Sequence, residues 1–164
     1  MTLEELQELV KNAAWFSRIG IQEVDAGYVQ ISSLDPWAGG PSREQVADEM
    51  DWLPSSRDQV DPIHAQSLEQ KAQALGKEQE YSRRSLIVYK ETLGALRSFD
   101  GHPLLRVGPH DFTEAARGAA IYAARRAAYE ILLGVPGFWC QIMQIYKRGH
   151  WPCGILPDGQ VVVL

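Results

Sequence analysis

The sequence predicts an α+β fold in which two long and two shorter helices pack on one face of a small antiparallel sheet. Apolar residues recur at helical spacing in several segments, the C-terminal part changes to a period of two, and turn residues separate the segments. The chain has 164 residues, of which 45% are hydrophobic and 23% charged. These values are typical of a single globular domain spanning residues 1–164.

The first element is predicted to be an amphipathic helix that begins at a capping box formed by Thr2 and Glu5. Its apolar residues recur at spacings of three and four as far as Phe16, and Gly20 ends it. A turn signal and an alternating segment follow, so we expect a β-hairpin over residues 21–33.

The middle of the chain is predicted to be helical in two regions. Ser42 and Gln45 form a second capping box and predict a short acidic helix. Pro62, preceded by an aspartate, is typical of a helix start, and no proline interrupts residues 62–99. Gly76 lies inside this segment, so the sequence leaves open whether it forms one helix or two.

The second long helix is predicted from the pair Asp111 and Glu114, which resembles a third capping box, and it extends to Leu133. Gly134 is expected to be its C-terminal cap. Eight alanines and one glycine among residues 111–133 allow neighbouring helices to approach closely. We therefore expect this helix to be the most enclosed one.

The C-terminus is predicted to be a three-stranded antiparallel meander. Apolar residues alternate from Phe138 to Tyr146, a turn follows, and residues 150–156 can return as a second strand. Residues 157–159 form another turn before the final strand, 160–164. Because that strand is almost entirely apolar, we expect it to lie inside the sheet and not at its edge.

The charge distribution favours some function classes over others. The chain has 16 basic and 21 acidic residues, and residues 1–60 alone have 4 basic and 11 acidic ones, a net charge of −7. This composition argues against nucleic-acid binding and suits a cationic partner. No apolar run is long enough to span a membrane. The acidic start of the chain and its two cysteines predict a cytoplasmic protein.

One surface in the acidic region is the candidate binding site, and we refer to it as the acidic face. Its four carboxylates and two flanking tryptophans combine aromatic anchors with a charged rim, which is typical of a protein interface. An ordinary solvated surface and a catalytic carboxylate pair remain open as alternatives. The residues of the acidic face are Trp37, Glu44, Asp48, Glu49, Asp51 and Trp52.

Histidine and cysteine residues offer alternative chemistry. His150 and Cys153 have a spacing compatible with a zinc site or a thiol nucleophile, with Cys140 as a further thiol. Three residues near the predicted start of the long helix form another candidate metal site: Asp58, Asp61 and His64. A packed turn with a buried thiol explains His150 and Cys153 more simply, so we expect no metal, cofactor or disulfide.

Familiar nucleotide-binding and hydrolase motifs are absent from the sequence. Two arginine pairs, 83–84 and 125–126, lie on predicted helices that also contain acidic residues. We expect these arginines to form ion pairs and not to bind phosphate.

The C-terminal hairpin resembles a group of known proteins. The segments Ile145–Gly154 and Pro157–Val163 are similar to the closing hairpin of small uncharacterised bacterial cytoplasmic proteins. Some of those proteins resemble immunity proteins of contact-dependent toxin systems. The resemblance covers roughly the last 20 residues, and it implies a protein-binding role without supplying a catalytic residue.

These observations predict a bacterial cytoplasmic protein-binding module of the immunity type, which engages a cationic partner through the acidic face. Two alternatives remain. One is a small enzyme or metal-binding hydrolase that uses His150 and Cys153. The other is a homo-oligomeric structural module whose exposed aromatic side chains form the contact between copies.

Overall fold

The computed structural model describes residues 1–12, 27–31, 34, 36–53, 67–97, 99–100, 103–107 and 110–164. This part of the chain has the predicted α+β character. The helices are α1 (Leu3–Asn12), α2 (Arg43–Glu49), α3 (residues 67–74), α4 (Glu78–Leu96), α5 (Thr113–Leu133) and α6 (Phe138–Lys147). The strands are β1 (Tyr28–Gln30), β2 (Asp51–Trp52), β3 (Arg106–Val107), β4 (His110–Asp111), β5 (Pro152–Ile155) and β6 (Val161–Val163).

The main sheet is mixed, which corrects the prediction of a purely antiparallel sheet. Its strand order is β1-β6-β5-β2, and β3 and β4 form a separate two-stranded ribbon. A tight turn makes β6 antiparallel to β5, and β1 then joins the other side of β6 in the parallel direction, with Tyr28 opposite Val161. The final strand is therefore interior, as its apolar sequence predicted.

The predicted first strand of the meander, Phe138 to Tyr146, is wrong because this segment is helix α6. Apolar residues occupy both sets of alternating positions, so the period-two pattern did not distinguish a strand from a buried helix. Trp139, Ile142, Met143 and Tyr146 are all buried, and their spacing of three and four is helical. The C-terminal meander is thus reduced to the β5–β6 hairpin.

Two capping boxes form as predicted. The backbone N–H of Thr2 donates to the Glu5 carboxylate at 2.8 Å, and the N–H of Glu5 donates to the Thr2 hydroxyl at 3.1 Å. Ser42 and Gln45 make the same reciprocal bonds at the start of α2, at 2.8 and 3.2 Å. The side chains therefore replace hydrogen-bond partners that the first turn of each helix lacks.

The third capping box is not formed. Asp111 accepts hydrogen bonds from the Thr113 backbone N–H at 3.0 Å and from the Thr113 hydroxyl at 2.7 Å. Glu114 instead contacts Arg117 at 2.9 Å, one turn further along α5. The bounds of α5 are nevertheless close to those predicted, and Gly134 caps its end in the left-handed conformation, with φ of 67°.

Residues 62–99 contain two helices, at least over the part that the structure describes. Gly76 has φ of +65°, a conformation that residues with a Cβ rarely adopt. Its N–H donates to the Gln73 carbonyl at 2.9 Å, and the N–H of Lys77 donates to the Ala72 carbonyl at 2.9 Å. This hydrogen-bond pattern ends α3, and α4 begins at Glu78.

Helix α5 is at the centre of the core, where it packs against α4, α6 and α1. Seven of its alanines are buried, which explains how its neighbours approach it closely. Between α6 and the sheet, Trp151 is fully enclosed and stacks on Phe99 with ring centroids 5.1 Å apart. Every helix in the described ranges is too short or too polar to cross a lipid bilayer.

Candidate functional site

Helix α2 carries three of the four carboxylates of the acidic face. Its capping box fixes where the helix begins, and the buried side chains of Val46 and Ala47 hold its other side against the core. Glu44, Asp48 and Glu49 are consequently exposed. Glu44 and Asp48 are four residues apart, so they lie on the same side of the helix and present a concentrated negative charge.

Asp51 follows directly on strand β2, at the edge of the main sheet. The strand pairs with β5, placing Asp51 opposite Ile155 and Trp52 opposite Gly154. The two strands approach so closely at Gly154 that a Cβ there would lie 2.6 Å from the carbonyl oxygen of Asp51. The side chain of Met50, just before the strand, is buried in the core. Asp51 itself is exposed.

Trp37 is the most exposed large hydrophobic residue in the described part of the chain. It lies in a single 3-10 turn, Pro36–Ala38, shortly before α2, and 93% of its surface is accessible. An indole ring is costly to leave in water, so this degree of exposure is unusual for tryptophan. The structure therefore places an exposed aromatic ring and four exposed carboxylates on neighbouring stretches of chain.

His150 and Cys153 lie inside the protein. His150 is 5% exposed and Cys153 is 4% exposed, and the Cys153 thiol donates to the carbonyl of Trp151 at 3.3 Å. Burial raises the pKa of Cys153 well above that of an ordinary thiol. The thiolate is the nucleophile and the metal ligand, so this thiol is protonated and inert at neutral pH.

Cys140 has a similar environment in the first turn of α6. Burial, together with the hydrogen bond and negative charge of Glu130, raises its pKa from 9.0 to about 12. Both cysteines are free thiols. Over the described residues, no group of three or more His, Cys, Asp or Glu side chains is arranged to hold a metal ion. The other candidate metal site, Asp58, Asp61 and His64, falls outside those residues.

A cleft between α4 and α5 was not predicted from the sequence. It has a volume of about 420 Å³ and contains two tyrosines and two arginines. Arg126 forms the expected ion pair, with Glu69 at 3.7 Å, but Arg125 has no ion pair with any residue in the described ranges. Because Tyr89 is distant in sequence from the arginines, only the packing of the two helices reveals the cleft. The lining residues are Tyr89, Gly118, Ile121, Tyr122, Arg125 and Arg126.

No protein-family model matches the chain, and a comparison with curated proteins finds no significant match. The resemblance of the C-terminal hairpin to immunity-type proteins therefore stays a prediction.

Proposed function

We propose that the protein is a bacterial cytoplasmic binding module of the immunity type that engages a cationic protein partner through the acidic face. The observation that carries this proposal is the exposure of Trp37, 93%, close in sequence to the exposed carboxylates of α2. Buried aromatic anchors with a charged rim are the usual source of affinity at protein interfaces. Trp37 is the anchor, and the carboxylates form the rim.

Three of the four carboxylates of the acidic face are available to a partner. Glu44, Glu49 and Asp51 make no ion pair with the residues that the structure describes. All three carboxylates are exposed to solvent. Such a surface attracts a basic protein and accelerates its association, and added salt weakens the attraction.

The fold holds α2 and β2, which carry the carboxylates of this surface, in a fixed position. Val46, Ala47 and Met50 attach α2 to the core. The pairing of β2 with β5 then fixes the backbone at Asp51 and Trp52. A partner that binds a preformed surface does not lose free energy in ordering it. This rigidity supports a binding role over that of a solvated loop.

Affinity capture from a lysate of the native host tests the proposal. The bait is the wild-type protein or a charge-reversed variant with Glu44→Lys, Asp48→Lys and Glu49→Lys. A matched variant with Glu4→Lys, Glu8→Lys and Glu78→Lys makes the same change in net charge elsewhere on the surface. Mass spectrometry identifies the proteins that each bait retains at low and at high salt.

We expect the wild-type bait and the matched variant to retain one basic protein at low salt and to release it at high salt. The α2 variant is expected to lose it. Retention of the same protein in equal yield by the α2 variant would overturn the assignment of the acidic face, and so would its loss from both variants alike.

A further inference from the structure

The cleft between α4 and α5 has a fixed positive group on one side. The Nε of Arg126 donates a hydrogen bond to the Tyr122 hydroxyl at 3.2 Å, and its guanidinium carbon lies 5.2 Å from the centre of the Tyr122 ring. Glu69 contacts the same guanidinium at 3.7 Å. The side chain of Arg126 is only 17% exposed. Its guanidinium group is therefore held in place before any ligand arrives.

Arg125 adds a second guanidinium group to the cleft. Its central carbon lies 6.0 Å from the centre of the Tyr89 ring on α4, at the outer limit of a cation–π contact. Arg125 is exposed and forms no ion pair within the described part of the chain, whereas Arg126 is paired with Glu69. Among the described residues, the positive charge of Arg125 is therefore not paired with a carboxylate.

The rest of the cleft is apolar and open. Ile121 and the two tyrosine rings supply its surface, and Gly118 leaves space because a Cβ at that position would have no atom within 4 Å. On α4, Leu86 and Leu93 flank Tyr89 in sequence and are 39% and 37% exposed. The apolar surface thus continues beyond the cleft along α4.

We propose that this cleft binds a small organic anion with an aromatic body, such as an aryl phosphate, sulfonate or carboxylate. Arg125 and Arg126 bind the anionic group, because guanidinium groups form strong charge-assisted hydrogen bonds with such oxygens. The aromatic body packs against Tyr89 and Ile121. A cleft of about 420 Å³ is within the usual size range for small-molecule sites. The site is separate from the acidic face and does not depend on its function.

Isothermal titration calorimetry with three probes tests the proposal on the full chain. 1-Naphthyl phosphate carries both features of the proposed ligand, whereas 1-naphthol lacks the anion and inorganic phosphate lacks the ring. We expect 1-naphthyl phosphate to bind with a stoichiometry of one, and each of the other two probes to bind at least about tenfold more weakly. Failure of 1-naphthyl phosphate to bind at millimolar concentration would overturn the proposal, as would equal affinity for inorganic phosphate.

Two variants locate the binding site. Arg125→Gln removes an exposed charge from the cleft, and we expect it to lower the affinity for 1-naphthyl phosphate at least about tenfold. Gly118→Leu fills the open space and is expected to abolish binding. Arg83→Gln removes an equivalent exposed charge from α4 outside the cleft and is expected to leave the affinity unchanged. If Arg125→Gln binds the probe as tightly as the wild type does, the cleft is not the site, whether or not Gly118→Leu folds.

Discussion

The carboxylate of Glu130 in the last turn of α5 accepts a hydrogen bond of 2.9 Å from the backbone N–H of Cys140 in the first turn of α6. The same carboxylate accepts hydrogen bonds from the N–H groups of Gly137 at 3.0 Å and Trp139 at 3.3 Å. The N-terminus of a helix has unpaired N–H groups and a partial positive charge, so a buried carboxylate is stabilised there. Glu130 therefore connects the two helices and explains how a fully buried acidic residue is accommodated.

Replacing Glu130 with glutamine should destabilise the protein. The amide has one acceptor oxygen and no charge, so at least one N–H group of α6 loses a charge-assisted hydrogen bond. We expect the free energy of unfolding, measured with urea, to fall by about 2 kcal/mol. Glu114→Gln on the exposed side of α5 is the control and should cost less than about 1 kcal/mol. Equal effects of the two substitutions would contradict the capping role of Glu130.

Substituting Gly154 with alanine should separate β2 from β5. The added Cβ would lie 2.6 Å from the carbonyl oxygen of Asp51 and 3.0 Å from the sulfur of Met50. Since backbone atoms cannot move aside easily, we expect a loss of about 1–3 kcal/mol in the free energy of unfolding. The substitution should also weaken binding at the acidic face, because β2 carries Asp51. A variant with wild-type stability would show that the two strands are not held this closely.

Two glycine substitutions should have opposite effects on stability. Gly94 lies within α4, and a Cβ there would meet no atom within 4 Å, so Gly94→Ala should raise the free energy of unfolding by up to about 1 kcal/mol. Gly76→Ala places a Cβ on a residue with φ of +65° and should lower it by about 1 kcal/mol. Thermal unfolding of the two variants checks the signs. A stabilising effect at Gly76 would contradict the break between α3 and α4.

Stability should decline in alkaline solution because the unfolded chain releases thiol protons that the folded protein keeps. Burial and the neighbouring Glu130 raise the pKa of Cys140 from 9.0 to about 12, so between these values the folded protein keeps the proton that the unfolded chain releases. The contribution is fully present below about pH 9 and is lost as the pH rises toward 12. Urea unfolding at pH 8 and at pH 10.5 measures the loss, which should be smaller in Cys140→Ala than in the wild type. An identical decline in both proteins would rule out this contribution.

Local signals in the sequence predicted those parts of the structure that depend on local interactions. The capping boxes at Thr2 and Ser42 and the glycine cap at Gly134 require only residues within a few positions, and all three are formed. The apolar sequence of the final strand predicted that it lies inside the sheet. It did not predict that β1 pairs with this strand in the parallel direction.

Interactions between distant residues could not be predicted in the same way. Helix α6 was not predicted because its apolar residues also fit a strand and its N-terminal cap comes from Glu130, on the preceding helix. The cleft was not predicted either, since Tyr89 and Arg125 come close only when α4 packs on α5. The acidic face could be proposed from the sequence because five of its six residues are close neighbours in the chain, on α2 and β2.

Hydrogen exchange tests the central claim, that the acidic face is the binding surface, most directly. Backbone amide exchange is measured by mass spectrometry on the wild-type protein, alone and in the presence of the basic protein that it retains at low salt. We expect the partner to slow exchange in residues 36–51 and to leave the exchange of α4 unchanged. Protection confined to α4, or to any surface that excludes residues 36–51, would contradict it.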